Sequence, residues 1–239
     1  MNLEEFKPLF GKWYDIFEPF LKTSDFDDIY KHLKDRSKKG HKIIPASKDV
    51  YNAFKLTNPS KIKAILIGFT PYDSFDKQGR VLADGLTFSA SRSTETPKEL
   101  KLFLKELKKQ YPDIGEYNDL TAYPHLNNIL MLNTSFTCEA KKEAIHYNIK
   151  LWDKFNEYLY KEVLASYCGI PIVTFGKEAA KLTKHLFPLC HVIKHVEHPT
   201  TAVKEHREWD SDNCFLWINE ILKQNNNDQI NFDPTELPF

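Results

Sequence analysis

Four short apolar runs, separated by longer amphipathic stretches, set the tightest limit on what this chain can fold into. Lys63-Ala-Ile-Leu-Ile-Gly-Phe69, Ile129-Leu-Met-Leu-Asn133, Pro171-Ile-Val-Thr-Phe-Gly176 and Cys190-His-Val-Ile-Lys-His-Val196 have the length and content of strands. Between them, Lys98 to Gln110, Asn148 to Leu164 and Lys177 to Phe187 carry apolar residues at three- and four-residue spacing, as helices lying on a sheet do. Strands alternating with helices of that size predict an α/β chain, a three-layer α/β/α sandwich around a central four-stranded parallel sheet.

Ligands of such sheets bind beyond the carboxyl ends of the strands. The residues that follow the runs are Thr70-Pro71-Tyr72-Asp73, Asn133-Thr134-Ser135, Gly176-Lys177 and Glu197-His198-Pro199-Thr200-Thr201, and they concentrate the polar chemistry of the sequence.

The remaining sequence narrows the classes. With 239 residues, 41% of them hydrophobic and 13% aromatic, the chain can fill one core, so residues 1–239 read as a single domain with a polar tail from about residue 225 that wraps or frays. Lys plus Arg and Asp plus Glu both count 33, so any contact with nucleic acid must be local. Lys177, Lys194, Lys204 and Arg207 are the residues that could form such a rim. The stretch from Met1 to Phe20 mixes charges among its apolar residues and reads as neither signal peptide nor membrane helix. No later segment has the length and hydrophobicity to span a bilayer, and an intracellular protein is expected. Cys138, Cys168, Cys190 and Cys214 lie far apart without a C-x-x-C pair, which predicts four reduced, mostly buried thiols and no metal or iron-sulfur site. A dinucleotide enzyme would need a G-x-G-x-x-G turn, which is absent.

Taken in chain order, the strand ends resemble the main uracil-DNA glycosylase family from about Ile43 to Phe232. Its water-activating signature G-Q-D-P-Y-H corresponds to Gly68-Phe69-Thr70-Pro71-Tyr72-Asp73, and its base-stacking signature G-L-x-F-S to Gly85-Leu86-Thr87-Phe88-Ser89. Ile44-Pro45 with Asp49-Val50-Tyr51-Asn52-Ala53-Phe54 resembles the lead-in to the first strand, and Leu132-Asn133-Thr134 the base-recognition segment. The loop H-P-S-P-L-S corresponds to His198-Pro199-Thr200-Thr201-Ala202-Val203. The resemblance implies the family's fold, DNA as partner, no cofactor and no metal, and a chain acting as a monomer.

It also implies roles. An enzyme acting on a base extrudes it from the duplex, stacks it on a ring and reads its edge by hydrogen bonds. Phe88 matches the stacking position and Asn133 the edge reader, while Phe69 and Tyr72 match the pocket wall, Tyr72 where the family ring crowds the 5-position of the base. The bland alternatives are a core aromatic for Phe88 and a structural amide for Asn133. His198 matches the donor to the leaving base oxygen, a group worth about 2.7 to 4 kcal/mol in comparable sites. Ser89, Thr200, Thr201 and Ala202 match positions at the DNA backbone, where turn formation is the alternative for the hydroxyls.

The departures from the pattern are local. Thr70 stands where the family has the carboxylate that activates water, while a carboxylate reappears at Asp73; Asp73 then activates water or stabilises a cationic sugar, with Thr70 positioning the water. Ser74 to Asp84 is longer than the family's connection by several residues, and Ala202 replaces the leucine that wedges into DNA, unless Val203 substitutes. The expected activity is hydrolysis of the N-glycosidic bond of a flipped pyrimidine, either uracil or a modified pyrimidine such as a modified cytosine of viral DNA. A homologue that binds DNA without catalysis is the alternative.

Overall fold

A computed structural model describes residues 2–115, 117, 119–140, 150–186 and 190–233. After a short helical turn at Lys7–Phe10 flanked by 3-10 turns, the chain forms α1 (Tyr14–Leu21) and α2 (Ser24–Lys38), the second capped by Thr23, whose hydroxyl accepts the Phe26 N–H. The aromatic residues of this segment are inward. Phe17 stacks 5.3 Å from Phe155 and meets Phe54 edge-on at 4.8 Å, so the amino-terminal segment docks through rings onto the helices that carry those two residues.

The chain continues through β1 (Ile43–Ile44), α3 (Asn52–Leu56) and β2 (Ala64–Gly68), then a long crossover holding α4 (Lys98–Gln110) and α5 (Ala122–Asn127) before β3 (Ile129–Asn133). β4 (Cys138–Glu139) pairs antiparallel with β1. Next come α6 (Asp153–Tyr158), β5 (Pro171–Phe175), α7 (Lys177–Leu182), β6 (Val192–Val196), α8 (Pro199–Lys204) and α9 (Cys214–Gln224). The main sheet is parallel, four-stranded and ordered β3-β2-β5-β6. β2, β3 and β5 are buried along their whole length, which explains their unbroken apolar runs, whereas the edge strand β6 admits Lys194 and His195.

The expected four-stranded sandwich is present, with differences at element ends. The helix read as Lys177 to Phe187 stops at Leu182 and passes into a 3-10 turn, because the Thr183 hydroxyl bonds back to the Ala180 carbonyl at 2.7 Å; Phe187 lies outside the described residues. The helix read as Asn148 to Leu164 is α6 followed by a π turn over Leu159–Val163, and Asn148 also lies outside the described residues. Pro199–Lys204, read as a loop, is helical, with Pro199 in the first turn where its missing N–H costs nothing.

The thiol expectation fails for one pair. Cys168 and Cys190 are joined as a disulfide with Cα atoms 4.7 Å apart, while Cys138 and Cys214 are free and buried. A spacing of 22 residues hides the contact: the turn before β5 runs beside the approach to β6, where Gly169 N–H donates to the Cys190 carbonyl at 2.7 Å. The tail wraps as far as residue 233. Asn219 holds it by donating to the Ile230 carbonyl at 2.9 Å and accepting the Ile230 N–H at 2.7 Å. Among the described residues no helix is long and apolar enough to cross a membrane.

Candidate functional site

From β2 the chain moves outward to β3, then returns past β2 to β5 on the other side. The gap at the carboxyl ends of β2 and β5 is therefore the switch point of the sheet, where connections diverge and leave an opening. A cavity of about 440 Å³ lies there. It brings together Phe69, Thr70, Tyr72 and Asp73 from the exit of β2, Phe88 from the crossover, and His198 and Thr200 from the exit of β6.

The exit of β2 is held from the neighbouring strand. Thr134 Oγ1 donates to the Gly68 carbonyl at 2.9 Å and Ser135 N–H to the Phe69 carbonyl at 3.0 Å, so the segment leaves the sheet at a fixed angle. Cys138 Sγ backs it, 3.6 Å from the Pro71 carbonyl. Burial pushes the Cys138 thiol up to about 12, with the Asp73 charge adding to the effect, so this sulfur is an inert wall and not a nucleophile. Asp73 is half-buried and accepts the Ser74 hydroxyl at 3.0 Å. Beyond it the inserted segment forms a hairpin closed by a Phe75–Val81 bridge. Its turn is tied by the buried Asp76, which accepts the N–H groups of Gln78 at 3.0 Å and Arg80 at 2.8 Å.

Phe88 owes its position to a buried carboxylate. Asp84, 1% exposed, accepts the Leu86 N–H at 3.2 Å, the Ser89 hydroxyl at 2.6 Å and the Ser91 N–H at 3.0 Å, folding residues 84–91 around itself. Gly85 has φ +94°, and a β-carbon there would stand 1.9 Å from the Asp49 carbonyl oxygen, so only glycine fits. Phe88 itself has φ +62°, a left-handed conformation costing about 1–2 kcal/mol outside glycine. Tyr72 Oη donates to the Phe88 carbonyl at 3.0 Å, and the ring rests against Phe103 and Phe175 at 5.1 and 4.9 Å. The same network withdraws Ser89, expected at the DNA backbone: its side chain is fully buried, donating to Asp84 and accepting the Leu120 N–H. Ala202 is fully buried too, and here the cavity wall is its neighbour Val203. Neither side chain can reach a phosphate. Thr201 faces a second groove, shared with Phe69, His198 and Lys204.

His198 opens α8. Its Nδ1 accepts the Thr200 N–H at 3.1 Å, which assigns the ring hydrogen to Nε2. The ring lies 5.5 Å from that of Phe88. Burial, with the nearby Lys204 charge, lowers its pKa to about 4, so the neutral Nε2–H donor persists at neutral pH.

Asn133 does not line the cavity. It is 6% exposed, and no described residue hydrogen-bonds its carboxamide. Thr87 does line the cavity, and its hydroxyl and the Asn133 Oδ1 stand 1.9 and 3.0 Å from where a β-carbon at Gly68 would be. Glycine at 68 is thus what lets both polar groups approach the floor.

Sequence reasoning missed Glu99, Thr87 and Asp84. Glu99, in the first turn of α4, lines the cavity with its carboxylate 3.4 Å from Thr200 Oγ1. An acidic residue at a helix start is so ordinary a dipole partner that position alone gives no signal. The expected basic rim is reduced. Lys194 pairs with Asp212 at 2.7 Å and Arg207 with Glu197 and Glu205, leaving Lys177 and Lys204 at the grooves. Among the described residues no three His, Cys, Asp or Glu side chains gather as a metal site would require.

No family model matches the chain. It is 28% identical over 228 residues to uracil-DNA glycosylases of Yersinia pestis and Yersinia pseudotuberculosis, spanning 95% of this chain and 96% of theirs. The crystal structure of mimivirus uracil-DNA glycosylase superposes with a TM-score of 0.86 at 24% identity, over 98% of this chain and 90% of that one. UNG from Nitratifractor salsuginis superposes with a TM-score of 0.61 at 19% identity, over 92% and 96% of the two chains. The fold is that of these proteins.

Proposed function

We propose that this chain, which is similar to uracil-DNA glycosylases along nearly its whole length and shares their fold, is a DNA glycosylase that hydrolyses the N-glycosidic bond of a flipped pyrimidine, leaving an abasic site. His198 carries the reading. A neutral imidazole whose Nδ1 is occupied by its own loop offers Nε2–H to the cavity, beside the Phe88 ring. Such a donor stabilises charge that develops on a departing base.

The chemistry follows from the groups around it. The bond between the sugar carbon and the base nitrogen breaks with its electron pair going to the base, whose carbonyl oxygen takes the hydrogen bond from Nε2–H. Water adds to the cationic sugar carbon and loses its proton to Asp73, with the Thr70 hydroxyl positioning it. The role of Asp73 is supported by its place in the same cavity wall as Thr70 and His198. Phe88 stacks the base. Asn133 lies just outside the cavity lining, behind Gly68 and with no partner for its carboxamide among the described residues; the resemblance assigns it the base edge, and Thr200 with Thr201 holds the strand. The substrate divides between uracil and a modified pyrimidine such as a modified cytosine of viral DNA. The protein works as an intracellular monomer in a single unit, with DNA as its partner.

The test incubates duplexes carrying uracil, thymine or several 5-substituted cytosines with the protein, followed by alkaline cleavage and mass analysis of the released base. Release of a pyrimidine is expected, with His198→Ala lowering kcat by about 10²–10³-fold. Tight binding without release of any base would replace this reading with that of a DNA-binding homologue, which the loss of a carboxylate at Thr70 and the buried Ala202 favour.

A further inference from the structure

We propose that the basic segment from Lys31 to Lys42, the carboxyl-terminal half of α2 and the turn after it, is a second DNA-binding surface, which takes the phosphate backbone flanking the base held in the cavity. This rests on DNA being the partner, as the glycosylase reading has it.

Charge is spread unevenly along this neutral chain. Residues 31–42 hold five lysines and Arg36 against one acidic residue, Asp35. Lys31, Lys34, Lys38, Lys39 and Lys42 are exposed, and none of the five has an ion-pair partner among the described residues. Lys194 and Arg207, by contrast, are taken up by carboxylates. The spacing gathers the helical lysines into a ridge. At about 100° per residue, Lys31, Lys34 and Lys38 project within about 60° of one another, opposite the inward stripe of Phe26, Ile29 and Leu33. Lys34 and Lys38 lie one turn apart and repel each other. Attraction to the carboxyl end of the helix is the competing role; it accounts for Lys38 and Lys39 but fades within the last turn, short of Lys31 and Lys34.

The ridge is fixed in place and joined to the site. Arg36 turns inward and donates from Nε and Nη2 to the two oxygens of the buried Glu139, both at 2.7 Å, which ties α2 to β4. The residue beside it, Cys138, backs Pro71 in the cavity wall. Lys42 bridges to the inserted hairpin: its Nζ lies 4.1 Å from the centre of the Phe75 ring, two residues beyond Asp73 of the same wall. The lysines therefore lead from the Asp73 side of the cavity out along α2. Lys31 and Lys38 stand about 10 Å apart along the axis at 1.5 Å per residue, which matches about three phosphates of one strand at 3.4 Å each. A bilayer suits the ridge less well, because stable anchoring needs an apolar element beside the charge, and the large apolar side chain exposed among the described residues is Leu216, on α9.

The test measures binding by fluorescence anisotropy from about 50 to about 200 mM salt, on a duplex carrying an abasic analogue that the reaction cannot consume. Each phosphate contact contributes about 0.9 to the slope of log affinity against log salt, so Lys31→Ala, Lys34→Ala and Lys38→Ala combined should flatten that slope by about two to three. The deficit of this variant against wild type should then shrink about fortyfold across the range. Alanine favours helix at exposed positions, so the variant should fold as wild type does, with kcat on a uracil duplex unchanged and KM raised at low salt. A control of equal charge combines Lys55→Ala, Lys61→Ala and Lys223→Ala, exposed and without ion pairs among the described residues, near the amino ends of β3, β2 and β5. Its slope should stay within about 0.5 of wild type. An unchanged slope in the ridge variant, or equal flattening in the control, overturns the proposal. So does loss of binding to phosphatidylserine vesicles in the ridge variant while DNA binding is unaltered. Release of no base from the uracil duplex, with the slope flattened as expected, overturns the glycosylase reading alone, and absence of any DNA binding by wild type overturns both.

Discussion

Replacing Asp84 should damage the site and the fold in separable amounts. The carboxylate is 1% exposed and takes two backbone N–H groups and one hydroxyl, from Leu86, Ser91 and Ser89. Asp84→Ala leaves all three donors buried without an acceptor, and each such loss costs about 1–3 kcal/mol. Partial entry of water reduces the total, so about 3–6 kcal/mol is expected, a large share of the roughly 5–15 kcal/mol that holds a domain folded. Asp84→Asn keeps the shape and one acceptor oxygen but turns an amide nitrogen towards Ser91 N–H or the Ser89 hydroxyl, for about 1–3 kcal/mol. The folded fraction of that variant then loses the constraint that holds Phe88 at φ +62°. Urea titration followed by tryptophan fluorescence measures the first effect. Excision kinetics on the stable Asn variant measure the second, expected as a rise in KM of about tenfold through weaker stacking. An Asn variant within about 0.5 kcal/mol of wild type and within twofold in kcat/KM would refute the argument that Asp84 positions the ring.

Other consequences can be measured directly. Since burial lowers the His198 pKa from 6.5 to about 4, the unfolded chain binds a proton that the folded chain does not, and this residue makes stability fall as pH drops from about 6.5 to about 4. For the same reason His198 contributes no acid limb to kcat above about pH 5; a limb near 6.5 that disappears in His198→Gln would contradict the assignment of a neutral donor. Gly68→Ala places a β-carbon 1.9 Å from Thr87 Oγ1 and 3.0 Å from Asn133 Oδ1, so stability should fall by about 1–3 kcal/mol and excision by more than tenfold; retention of both would show that the floor yields freely. In denaturant without reductant a thiol reagent should find the two free cysteines, Cys138 and Cys214, and Cys168→Ser should cost about 3 kcal/mol, as closing a loop of 22 residues implies; four reactive thiols would exclude the disulfide.

The sheet was legible because β2, β3 and β5 are buried along their whole length, which writes them into the sequence as unbroken apolar runs; β3, Ile129–Asn133, coincides with its run although it lies at the edge of the sheet. Element ends were less legible because they depend on groups that periodicity does not register, such as the Thr183 hydroxyl that bonds back into the last turn of its helix. The Cys168–Cys190 bridge depends on two turns meeting in space, which spacing along the chain does not encode. At the site, Phe69, Thr70, Tyr72, Asp73, Phe88, His198 and Thr200 converge on one cavity as expected from the motifs. Ser89, Asn133, Thr201 and Ala202 do not line it, because a motif names a position and not the direction its side chain takes. A serine two residues before Ser91 looks like a phosphate contact until Asp84 is seen to need its hydroxyl.

The altered wedge bears on how a base is selected. Successive residues of a helix point about 100° apart, so with Ala202 buried inside α8 the apolar side chain presented to the cavity is Val203. On the proposed glycosylase reading Val203 takes the place of the leucine that wedges into DNA in the family it resembles, and a shorter wedge gives less help in displacing a well-stacked base. Extrusion then depends more on bases that leave the stack at little cost and on favourable contacts once the base has entered. On that reading a shorter wedge shifts the burden of base selection towards recognition in the pocket and away from force applied in the duplex.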